Sequence, residues 1–313
     1  MAKKIIAVVG ATGAQGGGLV RAICEDSGGG FAARALTRST DSDKARALAA
    51  MGAGTVAANV DDEASLRQAF DGAYGVYAVT FFWDHFSPER EKAQAAAIAA
   101  AAKAAGVQHV IWSTLDDSRQ FIPLDDTRMP TLMGRYKVPH FDAKAEADAF
   151  FAGLPATYLL TSFYWDNLIH FGMAPRRGED GRLTFTLPMG DRKLPQIASE
   201  DIGRCAYGIF QRGGELIGKR VGIAGEHLTG AEMCERLGKA LGETVTHVSP
   251  PFDVYRGFGF PGADDLGNMF QFNHDCADAF CAARSLEFSR SVNPRLQTFE
   301  QWLRTNASRM ATG

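Results

Sequence analysis

The sequence predicts an α/β fold in which a doubly wound parallel sheet is followed by a smaller C-terminal α/β lobe. Short apolar runs alternate with helical patterns over residues 1–165, and a glycine-rich turn separates the first run from the first helix. After residue 165, glycine, proline and charged residues become frequent. We therefore predict one domain over residues 1–165 and a smaller lobe over residues 166–313, with some strands and helices of the second part returning to the first.

Six short runs rich in β-branched and other apolar residues predict strands that are buried on both faces. They cover residues 5–9, 32–37, 55–59, 75–80, 107–113 and 157–161. Helical patterns separate them at residues 16–24, 43–51, 63–70, 88–105 and 141–151. Pro88 suits the first turn of its helix, and Gly106 suits the position just past its end. Because strand and helix alternate, we expect right-handed crossovers and a parallel sheet.

The second part of the chain differs from the first in composition and in its pattern of strands and helices. We predict a helix over residues 199–211, a β-α-β-like stretch over 220–248 and a loop rich in glycine, proline and aromatic residues over 250–272. Two final helices are predicted over residues 273–284 and 298–309, and the adjacent carboxylates Asp264 and Asp265 would lie in the loop. This lobe would cover the carboxyl ends of the strands, where open α/β sheets bind ligands.

Composition excludes several function classes. The formal net charge of −3 gives no basic footprint for nucleic acid or an anionic membrane. The five cysteines form no CxxC pair, and no run approaches the roughly 20 apolar residues of a membrane span. Metal-ligand spacings and the GxSxG motif are absent. The sequence therefore predicts a soluble, cytoplasmic protein without metal, and without direct contacts to nucleic acid or membrane.

The strongest motif is Val-Val-Gly-Ala-Thr-Gly-Ala-Gln-Gly-Gly-Gly at residues 8–18. It follows the first predicted strand and opens the first predicted helix. Glycines in such a turn let the backbone approach a pyrophosphate, and the helix N-terminus supplies free N–H groups to the phosphates. The motif in this place predicts dinucleotide binding, the alternative being a tight turn with a structural role only.

The end of the second strand indicates which dinucleotide is bound. NAD enzymes usually carry Asp or Glu about 20 residues after the turn, where it bonds the ribose 2′-hydroxyl. This chain has Leu-Thr-Arg-Ser at residues 36–39, and Arg38 offers a planar cation to a 2′-phosphate, with hydroxyl donors at Thr37 and Ser39. The motif therefore favours NADP(H), although Arg38 would also suit an ordinary surface position.

Several motifs together resemble the NmrA-like proteins, atypical members of the short-chain dehydrogenase/reductase superfamily. They are the glycine-rich turn, the Leu-Thr-Arg end of the second strand, Val-Pro-His-Phe-Asp-Ala-Lys at 138–144, Tyr-Trp-Asp-Asn-Leu at 164–168 and Leu-Pro-Gln-Ile-Ala-Ser-Glu-Asp-Ile-Gly at 194–203. The resemblance covers roughly residues 4–305. It implies a Rossmann domain with a small lobe, NADP(H) as cofactor, and a homodimer as a common assembly.

The resemblance also implies where the cofactor would lie. The residues it points to are Gly10, Thr12, Gly13, Ala14, Gln15 and Gly16 at the phosphates, Thr37 and Arg38 at the 2′-phosphate, Asn59 and Val60 at the adenine, Thr80 and Phe81 at the ribose, and Lys144, Tyr164 and Asn167 at the nicotinamide end. The superfamily usually has Asp where this chain has Asn59. An Asn can still accept a hydrogen bond from the adenine amine.

The catalytic pair of the superfamily is incomplete. Its reductases use a Tyr with a Lys four residues later, and none of the seven tyrosines here has that neighbour. Lys144 is present, but His140 holds the place of the Tyr. His140 can serve as a surrogate acid, or it can begin the helix and pack against the cofactor without proton transfer. Ser113 either binds substrate, as the superfamily often arranges, or caps a strand end.

Two functions remain open on these grounds. The first is an NADP(H)-dependent redox sensor or regulator that acts through a protein partner, as some NmrA-like proteins do. The second is an NADPH-dependent reductase of a flat conjugated acceptor such as a quinone, enone, imine or dye, which some relatives reduce without the Tyr. The aromatics at residues 81–86 and 163–165 would either wall a site for such a substrate or form core packing between the lobes.

Overall fold

A computed structural model describes residues 2–312. Its first half alternates strand and helix as predicted. The strands are β1 Lys4–Val8, β2 Phe31–Thr37, β3 Gly54–Ala57, β4 Gly75–Ala78, β5 His109–Thr114 and β6 Ala156–Leu160. The helices are α1 Ala14–Glu25, α2 Asp43–Ala50, α3 Glu63–Phe70, α4 Pro88–Ala104 and α5 Pro139–Phe151. The α/β fold class is confirmed.

The described residues after β6 add seven short strands and eight α-helices. The strands are β7 Phe163–Tyr164, β8 Arg176–Arg177, β9 Leu183–Thr186, β10 Leu194–Ile197, β11 Arg220–Gly222, β12 Glu226–Leu228 and β13 Val245–Val248. The helices are α6 Asn167–His170, α7 Ser199–Arg212, α8 Gly230–Leu241, α9 Phe252–Arg256, α10 Ala263–Asp275, α11 Ala277–Ala282, α12 Leu286–Val292 and α13 Phe299–Asn306.

The main sheet has seven parallel strands in the order β11-β6-β5-β4-β1-β2-β3. The order reverses direction at β1, so the carboxyl ends of β1 and β4 flank a crevice of the kind that binds ligands in open sheets. Two three-stranded sheets, β12-β10-β7 and β13-β9-β8, lie outside it. β11 returns to pair with β6, and α7 packs on α1, so parts of the second half complete the first sheet and its face.

The predicted loop over residues 250–272 is wrong, because this stretch holds α9 and most of α10. The predicted helix over 273–284 is likewise two pieces, the end of α10 and then α11. The helical pattern was hidden because polar residues of α10 are buried. Asp265, Asn268 and Gln271 are at most 6% exposed, and they bond groups of residues 128–140. A helix whose polar residues face the interior lacks the alternation by which sequence reveals helices.

His109 on β5 gives the fold an acid-sensitive point. Its Nε2 lies 2.9 Å from the Thr157 hydroxyl, which donates its own hydrogen to the Leu216 carbonyl, so Nε2 carries the proton of a neutral ring. Burial lowers the pKa of His109 to about 4. The stability that depends on a neutral His109 is therefore fully present above about pH 6.5 and is lost progressively as the pH falls towards 4.

The native chain should lose free energy of unfolding between pH 6.5 and 4, and we expect His109→Gln to lose about 3 kcal/mol less. This is the free energy that corresponds to the lowering of the His109 pKa. Urea unfolding at several pH values measures it. His170→Gln, at an exposed position, is the control and should leave the native pH profile unchanged. An equal acid slope in His109→Gln and the native chain would contradict the assignment.

Two further features concern the whole described chain. None of the helices within residues 2–312 combines the length and the apolar character needed to cross a membrane. Over the same residues, His, Cys, Asp and Glu side chains do not gather into a group of three or more that could hold a metal ion.

Candidate dinucleotide site

The glycine-rich turn joins β1 to α1 at the centre of the crevice. Gly10 has a left-handed φ of +66°, and its carbonyl oxygen accepts the Gly13 N–H at 2.9 Å. A Cβ at Gly16 would lie 2.5 Å from that same oxygen, and one at Gly10 would lie 2.8 Å from the Phe81 ring. These contacts require glycine, while the N–H groups of the first turn of α1 have no intrahelical partner. The turn therefore fits a pyrophosphate.

The predicted adenosine residues lie at the carboxyl ends of the neighbouring strands β2 and β3. Arg38 is exposed, and no carboxylate within residues 2–312 is in ion-pair distance of it. The Thr37 hydroxyl donates to the Ser39 carbonyl at 3.1 Å, which shapes the turn that presents Arg38. Asn59 is exposed and its Oδ1 accepts the Asp61 N–H at 3.1 Å, with the half-buried Val60 beside it. Arg38 is thus free to meet a 2′-phosphate.

The side chain of Gln15 reaches across to three hydroxyl groups, while its backbone N–H belongs to the first turn of α1, where a phosphate contact is predicted. Its Oε1 accepts from Ser113 Oγ at 2.8 Å and from the Tyr77 hydroxyl, and its Nε2 donates to the Tyr164 hydroxyl. Burial raises the pKa of both Tyr77 and Tyr164. Tyr77 was not predicted as a site residue, because it lies in an apolar run that indicates only a strand. The network links the glycine-rich turn to the ends of β4, β5 and β7.

Lys144 lies on α5 in a buried charged cluster with two other residues. Its Nζ is 2.7 Å from Glu91 Oε1 on α4 and donates to Thr80 Oγ1 at 2.7 Å. The Thr80 hydroxyl in turn donates to Glu91 Oε1. Glu91 is fully buried and was missed, because a glutamate in the first turn of a helix is usually a surface residue that favours the helix dipole. The positive charge of the Lys144 ammonium is therefore balanced by Glu91 within the protein.

α5 begins at Pro139, so His140 and Lys144 lie one turn apart on the same face, as predicted. His140 is buried, and its Nδ1 lies 2.6 Å from Asp265 Oδ1. The other oxygen of Asp265 accepts the His140 backbone N–H at 3.1 Å. The ring also packs on Trp83, with 4.7 Å between centroids. Asp265 therefore lies on α10 as a buried partner of His140, which corrects its predicted place in a loop.

We expect Asp265→Asn to lower the free energy of unfolding by about 1–3 kcal/mol, because it weakens one charge-assisted hydrogen bond and leaves one acceptor for the two groups of His140. Urea unfolding at pH 7 measures the change. Asp264→Asn is the matched control, since Asp264 is exposed and accepts only the N–H of its neighbour. Equal stability of the two variants would show that the hydrogen bonds of Asp265 to His140 do not stabilise the fold.

Another predicted residue, Asn167, is half-buried at the start of α6, three positions after Tyr164. The preceding Asp166 accepts the Ser199 N–H at 2.8 Å and so joins α6 to the start of α7. A cleft of 530 Å³ opens between these elements and the glycine-rich turn. Arg21, Lys44, Arg204 and Arg309 line it together with the carboxylates Asp166 and Glu200, and Glu200 pairs with Arg21 and Arg204. The predicted phosphate end of the site therefore has more basic than acidic side chains beside it.

The model of the NmrA-like family matches residues 2–303. The chain belongs to this family. Among its curated relatives, the NmrA-like family domain-containing oxidoreductase FrzB of Cladobotryum sp is 27% identical, and the match covers 90% of this chain and 88% of FrzB. The NAD(P)H azoreductase of Xenophilus azovorans is 29% identical, with 85% and 86% covered.

Other similar proteins include a regulator. The nitrogen metabolite repression protein nmr of Neurospora crassa is 27% identical over 68% of this chain and 43% of its own length. Among solved structures, the negative transcriptional regulator NmrA in complex with NADP superposes with a TM-score of 0.79 at 23% identity, covering 97% of this chain and 95% of NmrA. Triphenylmethane reductase of Citrobacter sp., complexed with NADP(H), gives 0.72 at 16% identity over 96% and 99%. At these identities the solved structures show the fold.

Proposed function

We propose that this protein binds NADP(H) and acts as a redox sensor or regulator. One observation carries the proposal: the groups where reductases keep their proton donors are already engaged. His140, in the place of the Tyr, is held through Nδ1 by Asp265, so only its Nε2 is left uncommitted. Lys144 is paired with Glu91, and Ser113 donates to Gln15. Such a site suits cofactor binding better than proton delivery.

The connection between site and lobe supports a signalling role. α10 belongs to the C-terminal half, and three of its side chains hold the segment that leads into α5. Asp265 binds His140, Asn268 donates to the Lys137 carbonyl, and Gln271 donates to the Arg128 carbonyl at 2.8 Å. Because α5 also carries Lys144, a change at the nicotinamide end would reach α10 directly. A partner protein or a second copy of the chain would then bind the altered lobe with a different affinity.

The similar proteins agree with this proposal at the level of cofactor and role. NmrA is solved with NAD and with NADP, and it is a negative transcriptional regulator. The Neurospora crassa relative is a repression protein. Regulation by redox state requires that NADPH and NADP⁺ favour different conformations, since a ligand with equal affinity for both conformations shifts nothing.

Hydrogen exchange of the full chain, saturated in turn with NADPH and with NADP⁺, tests the sensor. We expect the amides of α10 and of residues 128–140 to differ in protection between the two forms, while those of β1 and β4 stay alike. Sedimentation of the same samples reports any change of assembly. Identical exchange and identical sedimentation in both forms would refute the proposal.

A second candidate function is NADPH-dependent reduction of a flat conjugated acceptor. The observation in its favour is the His140 ring, whose Nδ1 is held by Asp265 so that Nε2 is the nitrogen left for proton transfer, beside the Trp83 ring. The azoreductase relative has an activity of this kind by name. NADPH oxidation with a panel of quinones, enones and imines tests it, with Lys144→Ala alongside. Turnover that disappears in the variant would favour the reductase, and none above background would exclude it for that panel.

A further inference from the structure

We propose that the buried pair Glu91–Lys144 sets which redox form of NADP(H) the protein prefers. This deepens the sensor function proposed above and rests on it, because a sensor needs a residue that distinguishes the two forms. The oxidised nicotinamide ring carries a positive charge and the reduced ring is neutral. Fixed charges near the ring therefore discriminate between them by electrostatics alone.

The cluster around Glu91 is built to have no net charge. Glu91 is 0% exposed, and the Lys144 side chain is 11% exposed. Their contact of 2.7 Å brings one negative and one positive charge together, and the Thr80 hydroxyl bridges them. Little water reaches the pair, so its charges are weakly screened. Removing either partner would leave one unbalanced charge at the predicted nicotinamide end.

The nearby His85 does not supply a second positive charge. The Ser87 N–H donates to His85 Nδ1 at 3.0 Å, so the other nitrogen, Nε2, carries the proton of a neutral ring. That nitrogen lies 3.6 Å from Glu91 Oε2, an oxygen without a hydrogen-bond partner among residues 2–312. Glu91 therefore has Lys144 as its counter-ion, and the balance depends on these two residues.

The sign of the effect follows from this balance. Glu91→Gln leaves the Lys144 ammonium uncompensated, which disfavours the cationic ring of NADP⁺ and leaves neutral NADPH less affected. The ratio of the dissociation constants, Kd(NADP⁺)/Kd(NADPH), should rise on the order of tenfold or more, the scale of one unit charge about 10 Å away at an effective dielectric constant of about 20. The double variant Glu91→Gln/Lys144→Met restores neutrality, so its ratio should return to within about threefold of the native ratio.

The test measures both dissociation constants for the full chain by calorimetry. Glu146→Gln is the matched control. Glu146 on α5 pairs with Lys92 on α4 and also with Arg119 and Arg135, each at 2.7 Å, and its side chain is 18% exposed. Its loss changes the protein by the same charge without touching the Glu91 cluster. We expect the ratio for Glu146→Gln to equal the native ratio.

Glu91→Asp keeps the charge and serves as the conservative variant if Glu91→Gln unfolds; its ratio should stay native. An unchanged ratio in a folded Glu91→Gln, a double variant that does not revert, or an equal rise in Glu146→Gln would each overturn the proposal. The measured ratio does not depend on any conformational response. Failure of the sensor, seen as identical hydrogen exchange, is thus distinguishable from failure of this inference.

Discussion

Replacing Arg38 with Asp is expected to lower the affinity for NADPH by about 100-fold or more while affecting NADH much less. Arg38 is exposed at the end of β2 and engages no carboxylate within residues 2–312, so its guanidinium can bind a 2′-phosphate. Hydrogen bonds to charged groups contribute about 1.5–3 kcal/mol, and the new carboxylate would in addition repel the phosphate. An Asp in this place can instead bond the 2′-hydroxyl of NADH.

The dissociation constants of NADPH and NADH for the native chain and for Arg38→Asp measure this preference. Arg46→Asp on α2 is the matched control, because Arg46 is also exposed but donates to residues of its own turn. The ratio of the NADH and NADPH dissociation constants of Arg46→Asp should remain close to that of the native chain. Tighter binding of NADH than of NADPH by the native chain would show that the NADP(H) assignment is wrong.

Replacing Gly203 with Ala is expected to lower the free energy of unfolding by about 3 kcal/mol. Gly203 lies on α7 where that helix crosses α1, and a Cβ there would lie 2.0 Å from the Leu19 nitrogen and 2.2 Å from the Gly18 carbonyl carbon. Both are backbone atoms of α1, so the clash is relieved only if one helix moves. Because α1 also carries the glycine-rich turn, we expect NADPH affinity to fall with stability.

Urea unfolding and NADPH titration of the same samples measure the two effects. Gly214→Ala is the control, since a Cβ at Gly214 would meet nothing within 4 Å. It should leave both quantities nearly native. A Gly203→Ala variant of native stability would mean that α1 and α7 do not approach each other as closely as this structure has them.

The sheet and its glycine-rich turn could be predicted because their determinants are local. A buried parallel strand reads as a short apolar run, and the turn after β1 needs glycines at fixed places. The exposed position of Arg38 could be predicted in the same way, because it follows β2 directly. The predicted positions of all six strands agree with β1 to β6 to within a few residues. The NADP(H) preference itself stays a prediction until it is measured.

The partners of the site residues could not be predicted, because they lie on other elements. Asp265, which holds His140, is 125 residues further along the chain. It belongs to a helix whose buried polar face concealed its pattern. Glu91 resembled a surface glutamate at a helix start, and nothing in the sequence around Gln15 indicated that its side chain bonds three hydroxyl groups.

The sequence by itself thus determined the parallel sheet, the turn that fits a pyrophosphate and the absence of a Tyr four residues before Lys144. These follow from backbone geometry and residue type over short stretches. Only the tertiary structure decided that the charge of Lys144 is balanced by Glu91 and that the His140 ring is hydrogen-bonded to Asp265. The physical reason is that a buried charge must find its partner in space, and packing of distant helices supplies that partner.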